Sequence, residues 1–424
     1  MVFISCRLRD ILVGIHSGGT PSTAVKEYWG GPYRWLSSGE TGQRFISDTI
    51  ETITDRGVKE SSTKLAKRGS VVMACAGQGK TRGQTSYLLE DMYVNQSVIV
   101  LNPDTEKVHP LYLFYDLSRR YEELRGGSDA SSTRGSITTA SLKGLSFQYP
   151  VLEKQRKIVS ILYAYDQLID VNNKRIKVLE QMAENLYKEW FVRFRFPGHE
   201  TAEFYESRLG KLPRTFQVVK NIDVYEYYIG GGWGNDDEDQ EYSVPAYVIR
   251  GTDFPRVKRG DVSTCPLRYH KASNYSARKL KPHDIIIEVS GGTQEQPVGR
   301  ALIVTRDVID RLNGSVICAS FCKLVRLNTG AISPLYYYYW MKFLYDTRMI
   351  DRFQLQSTGI INFQFEFFLN KGDVMLPPME LMQRFDSSVL PIMDQISTIA
   401  KQNENLIKQR DLLLPRLMSG KLEV

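Results

Sequence analysis

The sequence is short of the groups that do chemistry on their own. Its five cysteines in 424 residues (Cys6, Cys75, Cys265, Cys318, Cys322) show no paired spacing. That excludes a disulfide framework and a cysteine-rich zinc site. Cys318 and Cys322 lie in an apolar stretch without a neighbouring His, and read as buried strand thiols. No apolar run reaches the ~18 residues of a membrane span. The first residues, MVFISCRLRDILVGIHSGG, are too short and too charged for a secretory signal, so a cytoplasmic location is expected. There is no HExxH and no G-x-S-x-G elbow. An Asn/Asp-Pro-Pro-aromatic motif for adenine methyl transfer is missing, as is a glycine-rich site for a methyl donor. Pro103-Asp104 precedes Glu106-Lys107, but at the wrong spacing for a carboxylate–lysine nuclease. His16, His109, His199 and His283 have no partners at ligand spacing, so core or loop roles are expected for them.

What is present is a soluble-type composition, 42% hydrophobic and 24% charged, with a net charge of +7 that leans mildly towards polyanions. The organising stretch is Pro150 to Phe191, which holds neither Pro nor Gly after Val151. Apolar side chains recur there at alternating steps of four and three: Ile158, Leu162, Tyr165, Ile169, Ile176, Leu179, Ala183, Leu186, Trp190. This is a coiled-coil seam, and polar Asn172 within it would fix register. Some 40 residues make a rod of roughly 60 Å that needs a partner helix.

The chain supplies one. Pro378-Met-Glu-Leu-Met-Gln383-Arg384 repeats Pro150-Val-Leu-Glu-Lys-Gln155-Arg156, and Asp394-Gln395 repeats Asp166-Gln167, all at an offset of 228. Val389, Ile396, Ile399, Leu406 and Leu413 would form the facing seam, with the helix ending near Leu414-Pro415. The repeat extends upstream. Ile229-Gly-Gly-Gly-Trp233 mirrors Ile15-His-Ser-Gly-Gly, and Tyr247 to Asp253 mirrors Tyr33 to Gly39. Pro334-Leu-Tyr336 mirrors Pro110-Leu-Tyr112 at an offset of 224, which requires a four-residue insertion between Gly359 and Pro378. Strands are expected at Val71–Ala76 and Ser97–Leu101, and helices over Pro110–Leu124 and the aromatic run Tyr336–Trp340. The expected fold is α/β (α+β), with two similar globular domains separated by two long antiparallel helices and a pseudo-twofold internal repeat. The expected divisions are 1–149, 150–192, 193–377 (opening on a Pro-, Gly- and charge-rich linker) and 378–424.

Ala74-Cys-Ala-Gly-Gln-Gly79-Lys80-Thr81 fits a relaxed phosphate-loop pattern. The loop-like Arg82-Gly83-Gln84-Thr85-Ser86 that follows argues against the helix such a loop must open. The competing assignment is a nucleic-acid contact, since Gln suits adenine edges and Arg or Lys suits guanine. Gln78, Lys80, Arg82 and Gln84 cluster there, and Gln294, Gln296 and Arg300 cluster at the equivalent place in the second half. Loops around Arg134-Gly135-Ser136 and around Thr358 to Asn362 also occupy equivalent positions and could hold phosphates. Thr20, Ser22 and Lys64 join the candidates in the first half; Arg268, Tyr269, Lys271 and Asn274 form a basic, aromatic patch in the second. The acidic run Asp236–Asp239 is expected to lie away from DNA, because phosphates would repel it.

Together these features resemble the specificity (S) subunit of type I restriction-modification systems. The resemblance covers nearly the whole chain. Its motifs are Ser17-Gly-Gly-Thr-Pro-Ser22 with Tyr28-Trp29-Gly-Gly, Gly77-Gln78, Asn95-Gln96, Pro150 to Arg156, and Leu179 to Ala183 running into Trp190-Phe191. Tyr247-Val-Ile-Arg-Gly-Thr-Asp253 and Leu413 to Gly420 complete them. The first half departs from the second in carrying Ser-Ser-Gly-Glu40 where the second has Arg-Gly-Thr-Asp253. The resemblance implies that each globular half reads one half of a bipartite site in double-stranded DNA. It implies that the helices set the spacer and dock two modification subunits and the restriction subunits. S-adenosylmethionine, ATP and magnesium would belong to those partners, with no cofactor, metal or catalytic residue in this chain. Two readings from other classes compete: a phosphate-loop enzyme using Lys80 and Thr81, and a coiled-coil adaptor that binds no DNA.

Overall fold

The computed structural model describes all residues except 1, 78, 130–134, 294–295 and 358–359. The chain forms two compact units, residues 1–169 with 406–424, and residues 170–405. Two long helices, a central one at Leu152–Tyr187 and a C-terminal one at Met379–Met418, each contribute to both units.

In the first unit, Ile4–Arg7 pairs antiparallel with Ser146–Tyr149, just ahead of the central helix. A sheet then runs in the order Leu12–Ser17, Val98–Pro103, Val71–Ala74, Thr85–Leu88, with Phe45–Ile46 parallel at its edge. The β-branched run Val71-Val72 is buried on both faces, as is Val98 to Leu101. A second sheet places Trp29–Leu36 parallel to Met92–Val94. The second unit repeats this plan. Gln217–Lys220 pairs with Asp373–Leu376 ahead of the C-terminal helix. Its main sheet runs Tyr225–Gly230, Cys322–Leu327, Ile285–Glu288, Ala301–Ile303, and Val244–Ile249 lies parallel to Val316–Cys318. The sequence repeat is therefore a repeat of strand order. Cys318 and Cys322 are fully buried strand thiols, and burial pushes Cys318 up to about 12.

Helices Pro110–Arg119 and Pro334–Asp346 start alike, with His109 or Ser333 capping the first turn and Pro at the first position. The run Tyr336–Trp340 is buried, as its composition suggested. The expected helix Pro110–Leu124 is instead two, Pro110–Arg119 and Tyr121–Asp129. The break falls at Arg120, whose guanidinium turns in towards buried Asp116 at 2.9 Å. The expected linker is also more ordered than its composition implied, since Phe204–Ser207 and Gly210–Pro213 form a hairpin.

Within each unit the two long helices pair antiparallel. Ile158 and Leu162 share the first unit's core with Leu414, Leu417 and Met418, and Ala183 and Tyr187 share the second's with Phe385 and Val389. The buried stripe departs from the strict heptad. Asp166, Glu180, Tyr187 and Phe191 are buried, while Tyr165, Ile169, Leu179, Leu186 and Trp190 are only half-buried. The globular domains press on the helices beside the partner helix, so the covered face is wider than a two-helix seam and follows the 3.6-residue period. Asn172 does mark the helix pairing: its Nδ2 donates to Asn403 Oδ1 at 2.9 Å, and Asn403 Nδ2 donates to Asn173 Oδ1 at 3.0 Å. The C-terminal helix does not stop at Pro415 and passes Pro391 as well. A proline inside a helix costs about 3 kcal/mol. Burying Leu414, Leu417 and Met418, each worth roughly 1.5–3 kcal/mol, outweighs it.

Candidate nucleic-acid interface

The loop Ser17–Ser22 is built against Asn95-Gln96. Gly18 and Gly19 donate to the carbonyls of Asn95 and Val94 at 3.3 and 3.1 Å. A Cβ on Gly18 would lie 1.9 Å from the Val94 oxygen, which is why the motif needs glycine. Thr20 Oγ1 donates to Gln96 Oε1 at 2.5 Å, and Thr20, Ser22 and Lys64 are exposed. The second unit seats its glycine loop in the same way, with Gly231 and Gly232 donating to Cys322 and Cys318 carbonyls at 2.9 Å.

The Ala74–Gln84 segment joins two antiparallel strands, with Gly83 N donating to Ala74 O at 2.9 Å and Ala74 N to Gln84 O at 3.0 Å. Among the described residues no helix begins there, so the phosphate-loop assignment lacks the helix N-terminus that would hold the anion. Lys80 is exposed at the tip, its carbonyl accepting from Tyr121 Oη at 2.7 Å. Gln84 is half-buried. Arg82 does not face outward: it is 8% exposed and its Nη1 donates to the Gly135 carbonyl. It ties the hairpin to the loop that carries exposed Ser136, a supporting role in place of the base contact expected for it.

Arg300 is committed likewise. Its Nε and Nη2 grip both oxygens of Glu288 at 2.8 Å, and Nη2 also donates to Gly251 O at 3.0 Å. That fork–carboxylate pair is mostly buried and holds the loop base, whereas Gln296 nearby is exposed. Asn362 accepts from Ser290 Oγ at 2.7 Å across adjacent strands. Arg268, Tyr269 and Lys271 lie on and just after the strand Leu267–His270, and Asn274 on the short helix that follows. Arg268 stacks on Trp233, 4.7 Å from the ring centroid, and Lys271 stands 5.1 Å from the ring of Tyr242. The acidic run, expected to lie away from DNA, packs against this candidate patch. Asp236 forms an ion pair with Arg268, and Glu241 with Lys271, because the bare cations attract the loop across the turn. Gln78, Arg134, Gln294 and Thr358 lie outside the described residues.

The departure at Ser-Ser-Gly-Glu40 resolves into one shared device. Glu40 Oε2 accepts from Ser37 N and Oγ at 3.1 and 3.0 Å, and Asp253 Oδ2 accepts from Arg250 N and Nε, both at 2.9 Å. Each buried carboxylate clamps a tight turn at the end of its strand. Burial pushes the Asp253 carboxyl up, but Arg250, its amide and Thr264 outweigh that and hold it below the usual carboxylate range. Inspection of the sequence missed these partners, as it missed Trp233, Tyr242 and Glu288. Only the turn pattern, an acid four residues after the strand end, could have signalled Glu40 and Asp253.

On the helices, the seam residues Ile158, Leu162, Ile176, Val389 and Ile399 are buried, and Ile396, Leu406 and Leu413 are half-buried. Packing within the chain therefore uses the buried ones. The outward apolar residues are others: Leu168, Val171, Val178 and Met182 on the central helix, each more than half exposed. Among the described residues no helix is long and apolar enough to cross a membrane.

Residues 5–181 match the model of the type I restriction modification DNA specificity domain. The chain is 26% identical to the type I restriction enzyme MjaIX specificity subunit of Methanocaldococcus jannaschii, covering 97% of this chain and 91% of that protein. It is 21% identical to the type I restriction enzyme HindI specificity subunit of Haemophilus influenzae, over 92% of this chain and 94% of that one. The crystal structure of the type I restriction-modification S subunit from M. genitalium shares the fold, with a TM-score of 0.55 at 12% identity over 98% and 96% of the two chains. Residues 5–181 thus match a type I restriction modification DNA specificity domain, and over nearly its whole length, with its repeated strand order and antiparallel helix pairing within each unit, the chain is similar to type I restriction enzyme specificity subunits.

Proposed function

We propose that this specificity subunit reads a split site in double-stranded DNA, one half with each globular module, and does no chemistry of its own. The observation that carries the reading is the duplicated architecture. Two modules of one strand order present differently composed loops, Lys80 and Gln84 in one and Gln296 with the Arg268–Asn274 patch in the other. Shared scaffolds with divergent polar loops suit recognition of two different base sequences. Phosphate contacts supply affinity and salt dependence, and base-edge contacts supply sequence preference. In this reading the paired helices set the spacer between half-sites. Two rigidly linked modules gain affinity only when that spacing matches.

The exposed apolar face of the central helix, Leu168, Val171, Val178 and Met182, suits docking of two modification subunits. Those partners would bring S-adenosylmethionine and the methylating site, and restriction subunits would bring ATP- and magnesium-dependent translocation and cleavage. The assembly would act on DNA in the cytoplasm. Sequencing the methylated adenines of a host that expresses the system tests this. A bipartite motif is expected, and Lys80→Ala with Gln84→Ala should relax one half only. A continuous motif, or loss of both halves together, would count against modular reading.

A further inference from the structure

In the second unit the segment from Asn235 to Tyr242 folds back over the strand Leu267–His270. Asn235 and Tyr269 exchange backbone hydrogen bonds at 2.9 and 3.0 Å. Asp239 orders the loop from within, its Oδ1 accepting from the amides of Glu241 and Tyr242 at 2.8 and 2.6 Å. The loop ends in two ion pairs, Asp236 with Arg268 and Glu241 with Lys271. The asymmetry of exposure is informative. The carboxylate side chains are 79% and 66% exposed, whereas Arg268 and Lys271 are 12% and 34% exposed. The cations are thus built into the fold, each against an aromatic ring, and the carboxylates lie on top of them. Beside Lys271 is a cavity of about 250 Å³ with Trp233, Tyr242, His270, Asn274 and Arg278 also in its wall. His270 is 3% exposed, and its Nε2 has no hydrogen-bond partner in the protein.

Cations set into the fold against aromatic faces make a site for an anion, and here the chain's own carboxylates cover them. We propose that Arg268 and Lys271 seat backbone phosphates of DNA, and that Asp236 and Glu241 hold those places until DNA displaces them. Phosphate and carboxylate oxygens accept from the same guanidinium and ammonium donors, so one can replace the other without rebuilding the site. The replacement is accessible because each pair is exposed on its acidic side, where an ion pair is weak. DNA also releases condensed counterions when its phosphates are neutralised, which a carboxylate cannot match. The expelled carboxylates take up counterions in turn, so the loop should lower both affinity and salt dependence at this module. The corresponding glycine loop of the first unit, Gly18 to Gly30, has Glu27 as its one carboxylate, so the device belongs to the second module. The proposal rests on the reading of this module as a DNA-binding one.

The test uses the full-length chain and a mixed-sequence DNA duplex, with affinity measured by fluorescence anisotropy across a salt series. Asp236→Asn with Glu241→Gln should tighten binding several-fold at low salt and steepen the log–log salt slope by up to about two, one ion per freed phosphate seat. Asp237→Asn with Glu238→Gln removes the same charge from the loop but leaves both ion pairs, and should tighten binding less. Arg268→Ala with Lys271→Ala should weaken binding and flatten the slope. If the first variant matches wild type or the charge control while the cation variant weakens binding, the stand-in role is overturned and the DNA contact survives. If the cation variant binds as wild type does, the seat itself is refuted, and with it the DNA contact assigned to this patch. Unchanged thermal unfolding of the carboxylate variants, whose side chains are exposed, excludes misfolding as the cause.

Discussion

Asp166 and Asp394 stand at the same place in the repeat and do opposite things. Asp166 is 5% exposed and gathers three partners from three parts of the first unit: Arg410 Nη1 at 2.6 Å, Tyr115 Oη at 2.7 Å and Arg44 Nε at 3.2 Å. Asp394 is exposed and borders a cavity of about 280 Å³ in the second unit. Gln155 and Gln383 differ in the same way. Gln155 is fully buried and bonded to His109 N and to the Lys107 and Pro150 carbonyls, whereas Gln383 is exposed. The first unit thus fixes its domain to the helices through one buried hub beside a ring cluster of Phe45, Tyr87, Phe114 and Tyr163. The second spreads the task over several pairs: Lys258 with Glu180 at 3.3 Å, Lys342 with Glu184 at 3.3 Å, and Lys401 with Asp307 at 2.6 Å. Duplication kept the backbone plan while the chemistry that orients each domain diverged.

That contrast can be broken by substitution. The largest effect is expected at the hub. Asp166→Ala leaves Arg410, itself 7% exposed, with Asp411 as its remaining carboxylate, removes the hub bonds of Tyr115 and Arg44, and should cost about 3–5 kcal/mol in urea unfolding followed by a first-unit reporter. Asp394→Ala should cost less than about 0.5 kcal/mol. Equal losses would show that the repeat is functionally symmetric after all. Next in size is Asp253→Asn, which weakens charge-assisted bonds to Arg250 and should cost about 1.5–3 kcal/mol at neutral pH. Because the folded Asp253 carboxyl lies below its ordinary value, its contribution is present above about pH 4 and is lost as pH falls through the depressed value. The variant should therefore flatten the acid limb of second-unit stability, and an unchanged limb would place the acid sensitivity elsewhere.

Within the first unit's hairpin, Lys80 and Arg82 should separate cleanly. Lys80→Ala is expected to leave stability within about 0.5 kcal/mol and to lower the salt slope of DNA binding by about one. Arg82→Ala is expected to cost about 1–3 kcal/mol of stability through the Gly135 carbonyl it abandons. The smallest effect concerns the thiols. Cys265 and Cys318, both pushed up to about 12 by burial, should resist alkylation at pH 8 in the native protein, and Cys6, half-buried, should react first.

Much of the fold was legible in the residues because it rests on periodicity and repetition. Val71–Ala74 and Val98–Leu101 declared themselves as buried strands, and the repeated Pro–Gln–Arg and Asp-Gln segments announced a second long helix. What stayed hidden depends on contacts between distant residues. Pro415 reads as a stop until Leu417 and Met418 are seen to be buried beyond it. Arg82 and Arg300 read as base readers until their inward partners, the Gly135 carbonyl and Glu288, appear. The run Asp236–Asp239 reads as repelled by DNA, although sequence alone cannot show that Asp236, like Glu241, lies on a cation of the candidate patch. Side-chain type sets what a residue can bind, but the fold decides which partner reaches it first.

The central claim is that two modules read one split site across a spacer set by the helices. Its most direct test is to insert four residues, about one helical turn, into both long helices, matched across the Asn172–Asn403 pair. The methylated motif in the host should keep both half-sites and accept a longer spacer. An unchanged spacer with both half-sites retained would contradict the account.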